Sequence, residues 1–146
     1  RLDKTIVIDL VIISKLKLIQ SQYIWLVIAE GWCGDAAQIL PILNKMSEVS
    51  DNIDLKVVFR DDNEALMNLF LTNGNKSIPK LIILDKNSLD VIADWGPRPI
   101  GAVEIIENYK EKFGIIDDTI KSELQMWYLH DKGLSTQKEI TELMSL

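Results

Sequence analysis

The sequence predicts an α/β protein in which a central mixed β-sheet is flanked by helices and followed by a C-terminal helical extension. Two observations lead to this prediction. Short apolar runs alternate with longer amphipathic segments, and two of the runs are joined by a link too short for a parallel connection. A chain of 146 residues can bury about two-thirds of its unfolded surface. We therefore expect a single domain over residues 1–146, with a core at about 22–113, a helical or extended lead-in at 1–21 and a helical tail at 114–146.

The first half of the chain predicts two buried strands, each followed by a helix. Residues 24–29 form a continuous apolar run, which is typical of a strand covered on both faces. A helix is expected over about 35–49, because its apolar residues fall at helical spacing, and a second buried strand over 55–60. These elements form the first strand–helix–strand unit of the predicted sheet.

The middle of the chain predicts a second helix and then a hairpin. Asp62 or Asn63 is expected to cap the helix, and Gly74 to end it. The apolar segments 79–85 and 90–95 read as strands joined by a tight turn, so we expect them to pair antiparallel.

The last third of the chain predicts helices only. A helix is expected over 100–113, and a second one follows from apolar residues at helical spacing between Ile116 and Trp127. Thr136 and Glu139 have the spacing of a capping box, which predicts the start of a final helix. We expect this tail to pack on the same domain.

The composition excludes several classes of function. The formal charge is −6, and basic residues are scattered among acidic ones, so a nucleic-acid partner is not expected. No run approaches the length of a membrane span, and Ile6 to Ile19 lacks the features of a secretory signal. One cysteine and one histidine leave no expected disulfide, metal site or other cofactor. A lone thiol is compatible with a reducing compartment, so the cytoplasm is the expected location.

The single cysteine, Cys33, follows the first predicted strand and precedes the helix at about 35–49. The unpaired backbone N–H groups and the dipole at a helix start favour a thiolate in this position. Asp35 stabilises the helix start but opposes a negative charge on the neighbouring sulfur. The same pattern also fits an inert buried cysteine.

Four features in consecutive order resemble the thioredoxin family. Residues 28–36, Ile-Ala-Glu-Gly-Trp-Cys-Gly-Asp-Ala, are similar to the strand and active-site segment that in this family usually ends Trp-Cys-Gly-Pro-Cys. Pro41 matches the proline that kinks the following helix. Ile78-Pro79 matches the cis-proline loop opposite the reactive thiol, and Gly96 matches a glycine beside the substrate groove. The resemblance implies a thioredoxin fold, and it is closest to a Bacteroidetes-type group with Cys-Gly-Asp in this turn.

The resemblance covers about residues 24–113, and three departures from it affect the expected function. Ala36 stands at the second cysteine, Asp35 at the intervening proline, and Val27 at the buried carboxylate of the family. A dithiol reductase needs the second thiol to release its mixed disulfide. We therefore do not expect dithiol activity from this chain alone.

The candidate site centres on Cys33 as the catalytic residue. The residues expected to contact a partner are Trp32, Gly34, Asp35, Ile78, Pro79, Gly96 and Arg98. Within the resemblance, the Arg98 guanidinium lies within reach of the thiol, where it either stabilises a thiolate, binds the carboxylate of a small thiol, or pairs with Asp35 or Asp94.

Three functions remain open from the sequence. The first is a monothiol redox protein, whose partner is a disulfide- or thiol-bearing protein or a small thiol. The second is a non-catalytic module that binds an extended peptide at Trp32 and Pro79. The third, an iron–sulfur site like that of monothiol glutaredoxins, is disfavoured by Trp32 and Asp35.

Overall fold

The structure is a computed structural model that describes residues 6–146. Over this range it contains six α-helices and four strands. In chain order they are α1 (Leu10–Lys17), β1 (Tyr23–Ala29), α2 (Gly34–Val49), β2 (Ile53–Phe59), α3 (Glu64–Asn68), β3 (Lys80–Asp85), β4 (Val91–Trp95), α4 (Ile100–Phe113), α5 (Asp118–Asp131) and α6 (Leu134–Leu143).

The four strands form one mixed sheet in the order β2-β1-β3-β4. β1 runs parallel to β2 and antiparallel to β3, and β3 and β4 form the expected antiparallel hairpin. Val27 is paired with Val57 on one side and Leu81 on the other. The predicted α/β architecture with a mixed sheet flanked by helices is therefore confirmed.

The second predicted strand is present, but the prediction that it is buried was wrong. Among residues 6–146, β2 pairs only with β1 and lies at the edge of the sheet. Its side chains Val57 and Phe59 are 47% and 52% exposed. Apolar β-branched residues fit a pleated surface in either position, so the run of residues does not say how many neighbours a strand has.

The core lies on both faces of β1 because successive side chains of a strand point to opposite faces. Trp25 and Val27 are buried against α1, α2 and the C-terminal helices. Ile28 points to the other face, where it packs with Met67 and Ile82 in a smaller cluster. This arrangement places the carboxyl end of β1 between two packed layers.

α3 departs from its prediction at both ends. Asn63 occupies the N-cap position, but its side-chain amide donates to the carbonyl of Phe59 at 2.8 Å and does not cap the helix. The helix ends at Asn68, well before Gly74, which lies with φ +81° in the turn between Thr72 and Asn75. The side chain of Asn63 instead ties the helix start back to the end of β2.

The capping box predicted in the tail was also wrong. α6 begins at Leu134 after Gly133, so Thr136 lies inside the helix and is buried. Glu139 accepts hydrogen bonds from the Trp95 indole N–H at 2.9 Å and from the backbone N–H of Ile100 at 3.0 Å. The carboxylate therefore caps α4 and fixes the tail to the end of β4, a role set by tertiary contact.

This double contact predicts a stability effect. Glu139→Gln places an amide N–H₂ against one of two donors, so we expect the free energy of unfolding to fall by about 1–3 kcal/mol. Urea unfolding followed by Trp fluorescence measures it. The exposed neighbour Glu142 supplies the control: Glu142→Gln is expected to change stability by less than about 0.5 kcal/mol. Equal effects of the two substitutions would contradict the prediction.

The N-terminal segment packs on the same core as the tail. Ile12 and Leu16 of α1 are buried in the cluster that also contains Ile140. The Gln137 side-chain amide accepts from the backbone N–H of Asp9 and donates to the carbonyl of Val7. The part of the predicted lead-in at residues 1–5 lies outside the described residues.

None of the helices between residues 6 and 146 combines the length and apolar character needed to cross a membrane.

Candidate functional site

Cys33 is the N-cap residue of α2, the position that the sequence predicted. Its backbone is extended, with φ −78° and ψ 118°, and its side chain is half-buried. The sulfur accepts a hydrogen bond from the backbone N–H of Ala36 at 3.4 Å. Because the first N–H groups of a helix have no partner within it, this sulfur takes the place of a capping oxygen. An N-cap sulfur is favourably placed for negative charge.

The Ile78–Pro79 loop lies opposite this sulfur, and its peptide bond is cis. The Cys33 thiol donates to the carbonyl oxygen of Ile78 at 3.5 Å. Gly96 stands beside this loop with φ +119°, and a Cβ added there would lie 2.4 Å from the carbonyl oxygen of Pro79. The Ile78–Pro79 loop thus faces a thiol that is distant in the sequence, and the close approach of Pro79 to position 96 requires glycine there.

Trp32 forms the exposed rim of the site. The whole residue is 67% exposed, and the Arg60 guanidinium lies 5.1 Å from the centre of its ring. Arg60 is itself held by the Asp61 carboxylate at 3.1 Å and by the Lys76 carbonyl at 3.2 Å. A guanidinium in this position supports the indole by a cation–π interaction. The sequence contains no signal for this pairing, because Arg60 belongs to a different strand end.

Arg98 is paired with Asp35, one of the alternatives that the sequence left open. Two of its nitrogens donate to the two carboxylate oxygens at 3.0 and 2.9 Å. The side chains are only 28% and 16% exposed. Tyr128 of α5 adds a third hydrogen bond, from its hydroxyl to Asp35 Oδ1 at 3.1 Å. The sequence does not place Tyr128 at the site, since no local pattern links the C-terminal tail to the turn that holds Cys33.

The charges in this cluster stabilise one another. Burial and the negative charge of Asp35 together raise the pKa of the Tyr128 hydroxyl well above its usual value. Burial alone would lower the pKa of Arg98, but the hydrogen bond and charge of Asp35 outweigh it and raise that pKa. Both side chains therefore keep their protons and donate to the carboxylate at every physiological pH.

The departures from the dithiol pattern have a direct structural counterpart. Ala36 and Val27 are both buried in the main core. An apolar side chain therefore stands at the position of the second thiol (Ala36) and at that of the buried carboxylate (Val27). Within residues 6–146 no three histidine, cysteine, aspartate or glutamate side chains are close enough to hold a metal ion. In the described part of the chain Cys33 is the only cysteine at the site.

The comparisons with known proteins concern the family and the fold of the chain. The sequence matches the family model described as Thioredoxin over residues 1–110. The chain belongs to the thioredoxin family. A search of curated proteins found no match.

Two solved structures share the thioredoxin-like fold of the chain. A protein of unknown function from Pseudomonas aeruginosa has a TM-score of 0.71 and 18% sequence identity, over 95% of this chain and 75% of that one. An HIV epitope scaffold has a TM-score of 0.69 and 19% identity, over 94% of this chain and 74% of that one. At these identities the similarity concerns the fold.

Proposed function

We propose that this thioredoxin-family chain is a monothiol thiol–disulfide redox protein that acts through Cys33. The thiolate attacks one sulfur of a partner disulfide, so that a mixed disulfide forms and the other partner sulfur leaves as a thiolate. An external thiolate then attacks the partner sulfur of the mixed disulfide. The Cys33 thiolate is released, and the external thiol takes its place in the new disulfide, so no electrons are left over.

The observation that carries the proposal is the position of the Cys33 sulfur. It caps α2 by accepting the Ala36 N–H and faces the Ile78 carbonyl across a narrow gap. The helix N-terminus favours the attacking thiolate, because its N–H groups and dipole present positive charge. The neighbouring Pro79 loop and the exposed Trp32 ring leave a surface on which a disulfide-bearing segment can lie.

The partner on this proposal is a thiol- or disulfide-bearing protein or a small thiol. Trp32, Ile78 and Pro79 contact it, and Gly96 keeps the groove open. The turn Trp-Cys-Gly-Asp-Ala supports membership of the single-cysteine, Bacteroidetes-type group, and a lone thiol suits a reducing compartment such as the cytoplasm.

A second candidate function is a non-catalytic module that holds an extended peptide. The exposure of Trp32 favours it, because a large aromatic side chain in water is typical of a binding surface. The same groove serves both functions. They differ in whether the Cys33 sulfur exchanges with a disulfide.

Thiol exchange tests the proposal. We expect the folded chain to release one equivalent of thionitrobenzoate from an aromatic disulfide reagent, about two- to fivefold faster at neutral pH than the same chain unfolded in urea, since a helix N-terminus favours the thiolate by about 0.3–1 kcal/mol. A second thiol added afterwards should restore free Cys33. Because Cys33→Ser removes the only cysteine, that variant should release nothing.

An exchange rate no greater than that of the unfolded chain would contradict the redox proposal. Mass spectrometry after incubation with oxidised glutathione gives an independent result, since it detects the trapped mixed disulfide directly. Absence of that adduct, together with retained peptide binding, would favour the binding module.

A further inference from the structure

The carboxylate of Asp35 lies in the first turn of α2, two residues after Cys33. A negative charge in this place disfavours a second negative charge on the sulfur. The carboxylate is nevertheless bound at both oxygens by Arg98 and at one of them by Tyr128. Arg98 and Tyr128 thus offset the negative charge of Asp35, which would otherwise disfavour a thiolate at Cys33.

We propose that Arg98 and Tyr128 are positioning residues that neutralise Asp35 and thereby keep Cys33 reactive. This inference rests on the proposed function, because it concerns the same thiol. It assigns part of the redox site to the C-terminal tail, since Tyr128 belongs to α5. The hydrogen bonds of the Cys33 sulfur go to the Ile78 carbonyl and the Ala36 N–H, so neither residue bonds to it directly.

The geometry of the Arg98 pair makes neutralisation effective. Two parallel N–H···O bonds align the guanidinium with the carboxylate, which is the strongest form of this ion pair. Both side chains are mostly out of water, so solvent screens the pair less than it screens an exposed one. The Cys33 sulfur therefore experiences the dipole of the Asp35–Arg98 pair and not the full negative charge of an unpaired Asp35.

Tyr128 is held in place by the packing of the tail. Its ring stacks edge-on against the indole of Trp127, with ring centres 5.5 Å apart. Trp127 in turn lies so close to α4 that a Cβ added at Gly101 would be 2.6 Å from its ring. The hydroxyl is therefore presented to Asp35 by contacts between α4 and α5. Lys121, on the same helix, lines the hollow beside this cluster.

A purely structural ion pair would fix the loop between β4 and α4 to the start of α2 without affecting the thiol. The structural role and the neutralising role predict different directions for the change in Cys33 reactivity when Arg98 or Asp35 is replaced. If the pair is only structural, removing either partner loosens the site in the same way. If Arg98 neutralises Asp35, removing Arg98 leaves an uncompensated negative charge near Cys33, whereas removing the charge of Asp35 leaves an uncompensated positive one.

The experiment measures the alkylation rate of Cys33 by iodoacetamide, a neutral reagent, at neutral pH. We expect Arg98→Met to lower the rate about three- to tenfold, because a nearby charge changes the thiolate fraction by this order. Asp35→Asn is expected to raise the rate about threefold. Tyr128→Phe, which removes one donor to Asp35, should lower it about twofold. The double variant Asp35→Asn/Arg98→Met is expected to return to within about twofold of the native rate.

Two features of the design separate charge from folding. The Lys86–Asp54 pair lies at the other end of β1, beside Tyr23, with its atoms 2.6 Å apart. Lys86→Met therefore removes an ion pair far from the thiol and should leave the rate unchanged. At alkaline pH, where the thiol is fully ionised in every variant, the rates of all folded variants should converge.

If Arg98→Met and Asp35→Asn change the alkylation rate in the same direction, or if neither changes it, the inference is overturned. Should Arg98→Met fail to fold, Tyr128→Phe takes its place, and a rate below the native one in that variant with Asp35→Asn above it is still required. Failure of the proposed function is recognised separately. It appears as a chain that forms no mixed disulfide although the alkylation rates still change with opposite signs.

Discussion

Replacing Gly96 with alanine is expected to lower the free energy of unfolding by about 3 kcal/mol or more, from backbone strain and overpacking together. The backbone φ of +119° is one that residues with a Cβ rarely adopt, and the new Cβ would lie 2.4 Å from the carbonyl oxygen of Pro79. That oxygen belongs to the backbone, so it cannot move aside as a flexible side chain would. The Pro79 loop must shift, and Ile78 with it.

The same shift should affect the thiol. Because the Ile78 carbonyl accepts the Cys33 S–H, displacement of the loop disrupts the surface on which a partner disulfide would lie. We expect Gly96→Ala to slow exchange by Cys33 as well as to destabilise the fold. Urea unfolding gives the first effect, and the thionitrobenzoate release rate under native conditions gives the second.

Gly114 offers the matched control for this substitution. It also has a positive φ, +73°, but a Cβ added there meets no atom within 4 Å. Gly114→Ala therefore carries the left-handed backbone penalty alone, which is about 1 kcal/mol. A cost for Gly96→Ala no greater than that of Gly114→Ala would mean that the close approach to Pro79 is unimportant.

The largest functional change is expected from Ala36→Cys, which should convert a chain without internal disulfide chemistry into one that has it. Residues three apart in a helix lie on one face with Cα atoms about 5 Å apart, within the roughly 4.4–6.8 Å that a disulfide spans. The Ala36 N–H already contacts the Cys33 sulfur, and the Ala36 side chain is buried behind it. The added thiol can therefore resolve a mixed disulfide formed by Cys33.

Reduction of insulin by dithiothreitol measures this gain. We expect Ala36→Cys to accelerate it well beyond the native chain, because the native mixed disulfide is released only by an external thiol. The combined variant Cys33→Ser/Ala36→Cys retains one thiol and should be inactive. Since Val27 supplies no proton acceptor, turnover should remain below that of a dithiol protein with a buried carboxylate. An inactive but folded Ala36→Cys variant would favour the peptide-binding function.

Much of the fold follows from local patterns in the sequence. The helix predicted over 100–113 has those bounds in the structure, and the hairpin of β3 and β4 forms where a tight turn joins two apolar runs. Helical spacing and short turns depend on neighbours along the chain, so they can be recognised without knowledge of the fold. The order of the cysteine turn and Ile78-Pro79 carried the thioredoxin prediction for the same reason.

Other predictions failed because they depended on contacts between distant segments. Thr136 and Glu139 have the spacing of a capping box, yet Glu139 accepts from the Trp95 indole and caps α4. The apolar run of β2 predicts a strand, but whether a second strand covers its outer edge is decided by the sheet order. A spacing rule describes only which groups a side chain can reach along the chain. The contacts of Glu139 and the edge position of β2 involve segments that are distant in the sequence.

The sequence by itself determined the order of strands and helices along the chain, the family and the position of Cys33 at a helix start. Only the tertiary structure decided the electrostatic surroundings of that thiol. Arg98 and Tyr128 are far from Asp35 along the chain, and they meet its carboxylate because the fold brings the loop before α4 and the helix α5 to the start of α2. Coulomb interactions depend on distance through space and on burial, and neither quantity exists until the chain has folded.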